Sequence, residues 1–402
     1  MRRGGTLLAL SIVAAIAALA SGGAAGRPAA KTLHHFNRDD GMYPDTPLIR
    51  DGQGNFYGTT PLGGDHNSGT IFKLVPRRKL TVLYSFTGGA DGKSPDGRLL
   101  IDAGGNLYGM AHSDGVENAG NIYKYTSGGS FEILHAFSSA TRRRGEGPTG
   151  GLIMDAAGNL YGLTEFGGKF DWGLVFKLAP HDKFTVLHSF DTRTEGAFPA
   201  GPLLLDAGGN LYGTVAQLGL HGGGALFKLA PAGDGSYVWS LLHAFCAFQT
   251  GCNDGQAVDG VIADASGNLY GTGGGGGLYG RGSIYKYTPD GTFSVLYSFG
   301  ALNNGRPDGT GVQGPLVMDL EGNLYGTTSN RGKKGGCCGT LFRLGTDGTE
   351  EVLYYFRFLG AGGRTPRAGV FRDEAGFLYG TTVNGGTDDH RSEYGVIYSY
   401  PR

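Results

Sequence analysis

The stretch DAGGNLYG (Asp102–Gly109) decides the fold, because closely similar stretches recur along the whole chain. Its tyrosine returns at intervals of 51 to 58 residues, and an aspartate stands six residues before the tyrosine each time. The seven tyrosines are Tyr57, Tyr108, Tyr161, Tyr212, Tyr270, Tyr325 and Tyr379. Self-similarity at a nearly fixed period indicates an array of equivalent structural units. The body of the chain is therefore predicted to be one unit repeated seven times.

Each repeat contains four short segments rich in Leu, Ile, Val, Tyr and Phe, separated by Gly and Asp. In the first repeat the segments are Pro47–Asp51, Asn55–Thr60, Gly69–Leu74 and Thr81–Phe86. Such segments predict strands, and four strands in a repeat of this length are typical of a propeller blade. The predicted fold is all-β: a seven-bladed β-propeller with four antiparallel strands per blade, forming a single domain over residues 31–402.

The phase of the repeat predicts how the ring closes. A fourth-strand segment follows six of the repeats, whereas the seventh ends at its third strand, Gly395–Tyr400. The missing segment stands at the other end of the chain, as Thr32–Phe36. We therefore expect the N-terminal strand to complete the last blade, which removes an exposed sheet edge that would promote aggregation.

The N-terminal residues 1–20 have the pattern of a signal peptide. Arg2 and Arg3 precede an apolar run over Leu7–Ala20, and Ala18-Leu19-Ala20 provides small residues for cleavage. The run is shorter than a comfortable membrane span. Cleavage is predicted between residues 20 and 30. The mature protein is expected to be secreted or periplasmic, monomeric and without a membrane anchor.

The composition excludes several classes of protein. Glycine supplies 78 of the 402 residues without a three-residue period, which excludes collagen. Aromatic residues make up 11%, too many for a disordered polar chain. The formal net charge is −1, so there is no basic surface of the kind that binds nucleic acid. No nucleic-acid partner is predicted.

The seven aspartates of the motif, here called the hairpin aspartates, allow two interpretations. They are Asp51, Asp102, Asp155, Asp206, Asp264, Asp319 and Asp373. In the first interpretation each carboxylate accepts turn amides in a tight hairpin. In the second the carboxylates form a ring around a cation, but calcium needs several oxygen ligands per site and each repeat offers one aspartate. We favour the hairpin, and predict neither a metal nor a cofactor.

The histidines fall into two sets. The first set shares a fourth-strand position with tyrosines of other repeats, which indicates packing with a polar tip. Its members are His34, His135, His188 and His243. The second set lies in the connections between second and third strands. Its members are His66, His112, His221 and His390. They are either an acid–base or metal cluster or ordinary solvated loop residues, and the second interpretation is favoured because they share no ligand spacing.

The four cysteines suggest one local disulfide. Cys246 and Cys252 enclose five residues in one loop, which in an exported protein favours a bond between them. Cys337 and Cys338 are adjacent and are either a vicinal disulfide or free thiols. No zinc ligand set stands near them.

Two classes of connection vary between repeats: those between second and third strands, and those between blades. Both should emerge on one face, here called the variable face, and function usually lies on variable loops of a rigid scaffold. The candidate ligand-binding residues are His66, His112, Asp171, Trp172, His221, Asp388 and His390. The predicted function is a non-enzymatic exported scaffold that binds a glycan or protein through this face. The alternative is an extracytoplasmic lyase or hydrolase that uses loop His and Asp residues.

The segments Asp319–Thr328, Gly339–Leu344 and Val352–Phe356 resemble the GloVer-type tandem repeat of exported bacterial proteins. Leu134–Phe137 is similar to the HAF-type extracellular repeat. The resemblance covers about residues 31–402. It implies export and a repeat scaffold, and it supplies no residue-level function. The motif is also similar to sensor-type and streptogramin-lyase-type propellers, but only in its turn and strand and not in a catalytic set.

Overall fold

The computed structural model describes residues 28–217, 222–246, 252–303, 306–331, 337–357, 362–385 and 393–401. These residues contain thirty β-strands and no helix. The prediction of an all-β chain is therefore confirmed. The predicted signal peptide, residues 1–20, lies outside the described residues.

The strands form seven groups of four. The chain opens with β1 (Lys31–His35). Group one comprises β2 (Ile49–Arg50), β3 (Phe56–Thr60), β4 (Thr70–Leu74) and β5 (Leu80–Ser85). Group two comprises β6 (Lys93–Ile101), β7 (Leu107–Ser113), β8 (Asn118–Tyr125) and β9 (Phe131–Ser138). Group three comprises β10 (Glu146–Met154), β11 (Leu160–Phe166), β12 (Leu174–Ala179) and β13 (Lys183–Ser189). Group four comprises β14 (Ala197–Leu205), β15 (Leu211–Gln217), β16 (Ala225–Pro231) and β17 (Tyr237–Ala244).

The remaining groups follow the same order. Group five comprises β18 (Gln256–Ala263), β19 (Leu269–Gly275), β20 (Ser283–Tyr287) and β21 (Phe293–Ser298). A short hairpin then follows, formed by β22 (Leu302–Asn303) and β23 (Arg306–Pro307). Group six comprises β24 (Thr310–Met318), β25 (Leu324–Asn330), β26 (Thr340–Leu344) and β27 (Glu350–Tyr355). Group seven comprises β28 (Phe371–Arg372), β29 (Leu378–Thr382), β30 (Val396–Tyr400) and the N-terminal strand β1.

Within each group neighbouring strands pair in antiparallel fashion. The predicted four-stranded antiparallel sheet is therefore confirmed for each repeat. Groups two and three are also joined into one eight-stranded sheet, because Gly151 of β10 pairs in parallel with Arg98 of β6. The sequence did not predict this link between first strands.

The N-terminal strand pairs with the C-terminal strand. Strand β1 runs antiparallel to β30, with Lys31 opposite Ser399 and His35 opposite Val396. The sheet order is β1-β30-β29-β28, so the first strand supplies the outer strand that group seven lacks. This is the pairing that the phase of the repeat predicts.

The hydrophobic core lies between consecutive groups. Each cluster of buried side chains in the described residues combines residues of two neighbouring groups, such as Tyr161 of group three with Phe227 of group four. One cluster joins Ile397 of group seven to Phe72 and Leu48 of group one. The packing therefore continues from the last group back to the first.

The glycine after each motif tyrosine makes room for a ring in its own sheet. A Cβ added to Gly213 would lie 2.6 Å from Cζ of Phe227, its partner on the neighbouring strand β16. The aromatic ring of the third strand therefore fills the space that a side chain at this position would need.

The first strands of all seven groups, with the segments that lead into them, surround one cavity, here called the central cavity. It has two adjoining parts, with volumes of about 870 Å³ and about 270 Å³. Both parts are lined by residues of several groups.

Candidate functional site

The two classes of variable loop lie against each other. In group three the amide of Gly168, between β11 and β12, donates to the carbonyl of Arg142, in the loop before β10, at 2.8 Å. In group one Gly64 donates to Arg38 in the same way. Loops of both classes therefore form one continuous surface at this end of groups one and three.

Three aromatic side chains form a cluster on this surface, here called the aromatic patch: Phe166, Trp172 and Phe198. The ring centres of Phe166 and Phe198 are 5.6 Å apart, and so are those of Trp172 and Phe198. Both pairs meet edge to face. Phe166 and Trp172 each keep 36% of their surface exposed. The patch therefore presents ring surface to solvent on both sides of Phe198.

Phe198 is held in a backbone conformation that is unusual for a bulky residue. Its φ angle is +55°, in the left-handed region. The equivalent positions of other groups are Tyr43, Ser94, Gly147, Gly311 and Thr365, with φ angles of +52° to +69°. The fold thus requires a left-handed residue at this position, whatever its side chain. An aromatic ring stands there, at a cost in strain, in two groups, at Tyr43 and Phe198.

Charged side chains border the aromatic patch. A terminal nitrogen of Arg142 donates to Oδ2 of Asp171 at 3.1 Å, and its Nε forms an ion pair with Glu146 at 3.0 Å. Between groups two and three, Nε2 of His112 lies 3.7 Å from Oε2 of Glu165, which precedes Phe166 in β11. All these groups are at least partly exposed, so they can bind a polar ligand beside the rings.

Of the candidate residues, Trp172 belongs to the aromatic patch and Asp171 precedes it in the same loop. His112 meets Glu165 between groups two and three. His112 lies in strand β7 and not in the connection after it, which corrects the expected location. His66 is exposed in the loop of group one, and no contact among the described residues joins it to the patch. His221, Asp388 and His390 lie outside the described residues.

The carboxylate oxygens of the hairpin aspartates accept hydrogen bonds from groups of the same hairpin. Oδ1 of Asp206 accepts from the amides of Gly208 and Asn210, both at 2.9 Å. Oδ2 accepts from Nδ2 of Asn210 at 2.7 Å and from the hydroxyl of Tyr212 at 3.1 Å. The bond from tyrosine recurs in all seven groups at 2.9–3.1 Å. This geometry supports the hairpin interpretation.

These bonds change the protonation equilibria of both partners. Burial by itself would raise the pKa of Asp206, but the hydrogen bonds from Asn210 and Tyr212 lower it overall. Burial and the bond to Asp206 raise the pKa of Tyr212 to about 12. In group seven Phe377 replaces the asparagine, and a terminal nitrogen of Arg50 lies 3.7 Å from Asp373.

Six of the seven fourth-strand histidines and tyrosines meet a carboxylate. Nε2 of His243 is 3.0 Å from Asp254, whose other oxygen accepts from the amide of Cys246. In group five the hydroxyl of Tyr297 donates to Asp308 at 2.8 Å. The polar tip therefore fixes the carboxylate that holds the loop to the next group, which is a structural role.

Both cysteine pairs are disulfide-bonded. Sγ of Cys246 is bonded to Sγ of Cys252, across the loop before β18. Sγ of Cys337 is bonded to Sγ of the adjacent Cys338. Among the described residues no group of three His, Cys, Asp or Glu side chains is placed to hold a metal ion. Within the same residues no helix is long and apolar enough to cross a membrane.

Sequence reasoning missed Phe166 and Phe198. Phe166 ends strand β11, where hydrophobic residues are ordinary. The signal for Phe198 is visible only when the segments before each first-strand proline are aligned. Ala-Phe-Pro ending at Pro199 then stands beside Lys-Ser-Pro ending at Pro95 and Glu-Gly-Pro ending at Pro148.

Solved structures with a similar fold include two bacterial examples. The extracellular domain of a one-component system from B. thetaiotaomicron has a TM-score of 0.56 and 11% identity, and the match covers 90% of this chain and 40% of that one. PorZ, a surface component of the type-IX secretion system of Porphyromonas gingivalis, has a TM-score of 0.55 and 13% identity, with 92% and 47% covered. The chain thus spans less than half the length of either protein, and the likeness concerns the fold alone.

No curated protein matches the sequence. The family model of the Gloeobacter/Verrucomicrobia repeat matches residues 23–152, 127–307 and 203–402. These three overlapping matches cover nearly all of the chain, as the tandem repeat predicts. The chain therefore belongs to the Gloeobacter/Verrucomicrobia repeat family.

Proposed function

We propose that the protein is an exported, non-catalytic β-propeller that binds a glycan through the aromatic patch. The observation that carries this proposal is the partly exposed aromatic cluster of Phe166, Trp172 and Phe198. Phe198 contacts both other rings although its left-handed backbone disfavours a bulky side chain. Exposed apolar clusters of this kind are suited to contact a ligand.

A closed ring of seven blades in one domain, residues 31–402, is the architecture that best accounts for the sheets. Three features support it: the seven groups of four strands, the pairing of β1 with β30, and the central cavity shared by all first strands. A closed ring also gives the variable loops a rigid base on a single face.

Three observations support export. Residues 1–20 have the sequence pattern of a signal peptide. Both cysteine pairs are bonded, and disulfides persist in oxidising compartments. Two proteins of similar fold are an extracellular domain and a bacterial surface component. The proposed location is therefore the periplasm or the cell exterior.

A glycan suits the chemistry of the patch. The faces of aromatic rings are electron-rich and attract the weakly positive C–H groups on the apolar face of a sugar ring. Asp171 accepts and Arg142 donates hydrogen bonds beside the rings, as sugar hydroxyls require. Trp172 and Phe166 keep enough exposed surface to stack against two neighbouring sugars.

Catalysis is the weaker explanation of this surface. A hydrolase or lyase needs an acid and a base within hydrogen-bond reach of the substrate. Histidine–carboxylate pairs such as His243 with Asp254 occupy a position where tyrosine stands in other groups, so that position does not require an imidazole that transfers protons.

A glycan array tests the proposal. The mature protein, Trp172→Ala and Phe198→Gly would be applied to an array of bacterial and plant oligosaccharides. Val238→Ala is the matched control, because Val238 is also an exposed apolar residue, 56% accessible, but lies in β17, a fourth strand.

We expect the wild type and the Val238 variant to bind the same glycans, and both patch variants to lose at least tenfold in affinity. Equal binding by wild type and both patch variants would contradict the proposed site. Absence of binding to every glycan would contradict the proposed ligand class.

A further inference from the structure

Where one group borders the next, the same two backbone positions meet, and this border is here called a seam. The first position precedes the glycine before a third strand, and the second is the left-handed residue at the start of the next group. At the seam of groups three and four these are Trp172 and Phe198, and the amide of Phe198 donates to the carbonyl of Trp172 at 3.4 Å. Among the described residues the same bond recurs at 2.9–3.2 Å from Tyr43 to Tyr394, Ser94 to Ser68, Gly311 to Arg281 and Thr365 to Cys338. These seams are therefore equivalent in their backbone, and their side chains can be compared.

Two of the seven seams carry an aromatic side chain at both positions. One is the seam of the aromatic patch, and the other is the seam of groups seven and one, with Tyr394 and Tyr43. The remaining pairs are Ser68 with Ser94, Ala119 with Gly147, Gly223 with Ala257, Arg281 with Gly311, and Cys338 with Thr365. A seam of this fold therefore does not require rings at these positions.

The two tyrosines form a cluster with an arginine. The ring centres of Tyr43 and Tyr394 are 6.0 Å apart and the rings meet edge to face. Both side chains are partly exposed. Nε of the exposed Arg38, in the loop before group one, donates to the hydroxyl of Tyr394 at 3.1 Å. Ring surface, a hydroxyl and a guanidinium thus lie side by side at this seam.

The charged border of the aromatic patch also has a counterpart here. In the patch the residue before Trp172 is an acid, and it pairs with Arg142. At the second seam the residue before Tyr394 is Glu393, which forms an ion pair with Arg364. Each arginine comes from the loop that leads into the first strand of the same group. The two seams therefore share an aromatic pair and an ion pair beside it.

The tyrosines are not needed to hold group seven against group one. Strand β1 already pairs with β30 along that border. Ile397 of β30 also packs with Phe36 and Phe72 in one buried cluster, and Tyr394 only flanks that cluster. A purely structural role therefore leaves the second aromatic pair unexplained.

We propose that the seam of groups seven and one is a second glycan-binding site, formed by Tyr43, Tyr394 and Arg38. This inference rests on the proposed function, because the aromatic patch supplies the expected ligand chemistry. The apolar face of a sugar ring packs on the exposed ring surface, and sugar hydroxyls bond to the tyrosine hydroxyl and the guanidinium. The two sites share no residue, so each holds its own ligand.

The number of bound ligands tests this site. Calorimetric titration of the mature protein would use cellohexaose, chitohexaose, laminarihexaose and the tightest-binding oligosaccharide of the array. A glycan that binds should do so with two molecules per protein. The double variant Tyr43→Ser/Tyr394→Ser introduces the serine pair of the seam of groups one and two, so it should fold and bind one molecule. The matched control, Trp172→Ser/Phe198→Ser, makes the same change in the aromatic patch and should also bind one.

Each other result has a distinct meaning. One molecule per wild-type protein, lost only in the control variant, overturns the second site and leaves the proposed function intact. One molecule lost only in the tyrosine variant supports the second site and contradicts the aromatic patch. Two molecules bound by the tyrosine variant overturn the second site, and no binding by the wild type overturns both proposals.

A single substitution serves if the double variant does not fold. Tyr43→Ser leaves Tyr394 in place beside the core, and it should weaken one of the two binding events at least tenfold. Undiminished affinity in both events would overturn the proposal.

Discussion

Replacing Phe198 by glycine should destroy the aromatic patch at little cost in stability. A left-handed residue with a Cβ is strained by about 1–2 kcal/mol, which glycine relieves. The greater freedom of glycine in the unfolded chain lowers the free energy of unfolding by about 0.5–1 kcal/mol. Losing the two edge-to-face contacts, to Phe166 and Trp172, costs about 0.5–1.5 kcal/mol each. The net loss in free energy of unfolding should therefore be about 1 kcal/mol.

Urea unfolding followed by circular dichroism measures this difference. The comparison variant is Phe190→Ala, because Phe190 is fully buried between groups three and four. Truncating such a core ring costs about 3–5 kcal/mol. If Phe198→Gly destabilises the protein as much as Phe190→Ala does, then Phe198 is a core residue and the argument from strain is wrong.

Three further predictions concern the scaffold. Deleting residues 31–37 removes the partner of β30, so the mature protein should aggregate and melt at a lower temperature; an unchanged melting temperature would contradict the closure by β1. Asp206→Ala should lower the free energy of unfolding by about 1–2 kcal/mol at neutral pH, because its partners are half-exposed and water replaces part of the lost bonds. Since the pKa of Asp206 is depressed, that difference should shrink on acidification, and a difference independent of pH would refute the role of the carboxylate. Asp45→Asn should raise the melting temperature by an amount that grows between the usual pKa of 3.8 and about 7, because the folded protein disfavours the charge; a gain that does not change with pH would contradict the raised pKa.

The repeat made the sheets predictable from sequence. Four strands per unit follow from the alternation of apolar segments with Gly and Asp, and the place of β1 follows from counting fourth-strand segments. Comparison of the seven repeats also distinguished the hairpin aspartates, which occur in every repeat, from loop residues that differ between repeats. Such short-range patterns predict the structure well because the hydrogen bonds of a turn join residues close together in sequence.

The candidate site was predictable only in part. Asp171 and Trp172 are recognisable in the sequence as a charged and an aromatic residue in a variable loop. Phe166 and Phe198, however, come from two other segments of the chain. Their meeting depends on how groups three and four pack, which one sequence does not reveal. The tyrosine bond to each aspartate was missed because a strand residue six positions away reaches back only once the hairpin is folded. The central cavity was missed because its lining is drawn from all seven repeats.

The most direct test of the proposed function uses the fluorescence of the patch itself. The chain has two tryptophans, and Trp239→Phe leaves Trp172 as the sole reporter. Titrating this variant with the best glycan from the array should change the Trp172 emission saturably, with the same dissociation constant as calorimetry gives for the wild type. Undiminished glycan binding with no change in Trp172 emission would contradict the account.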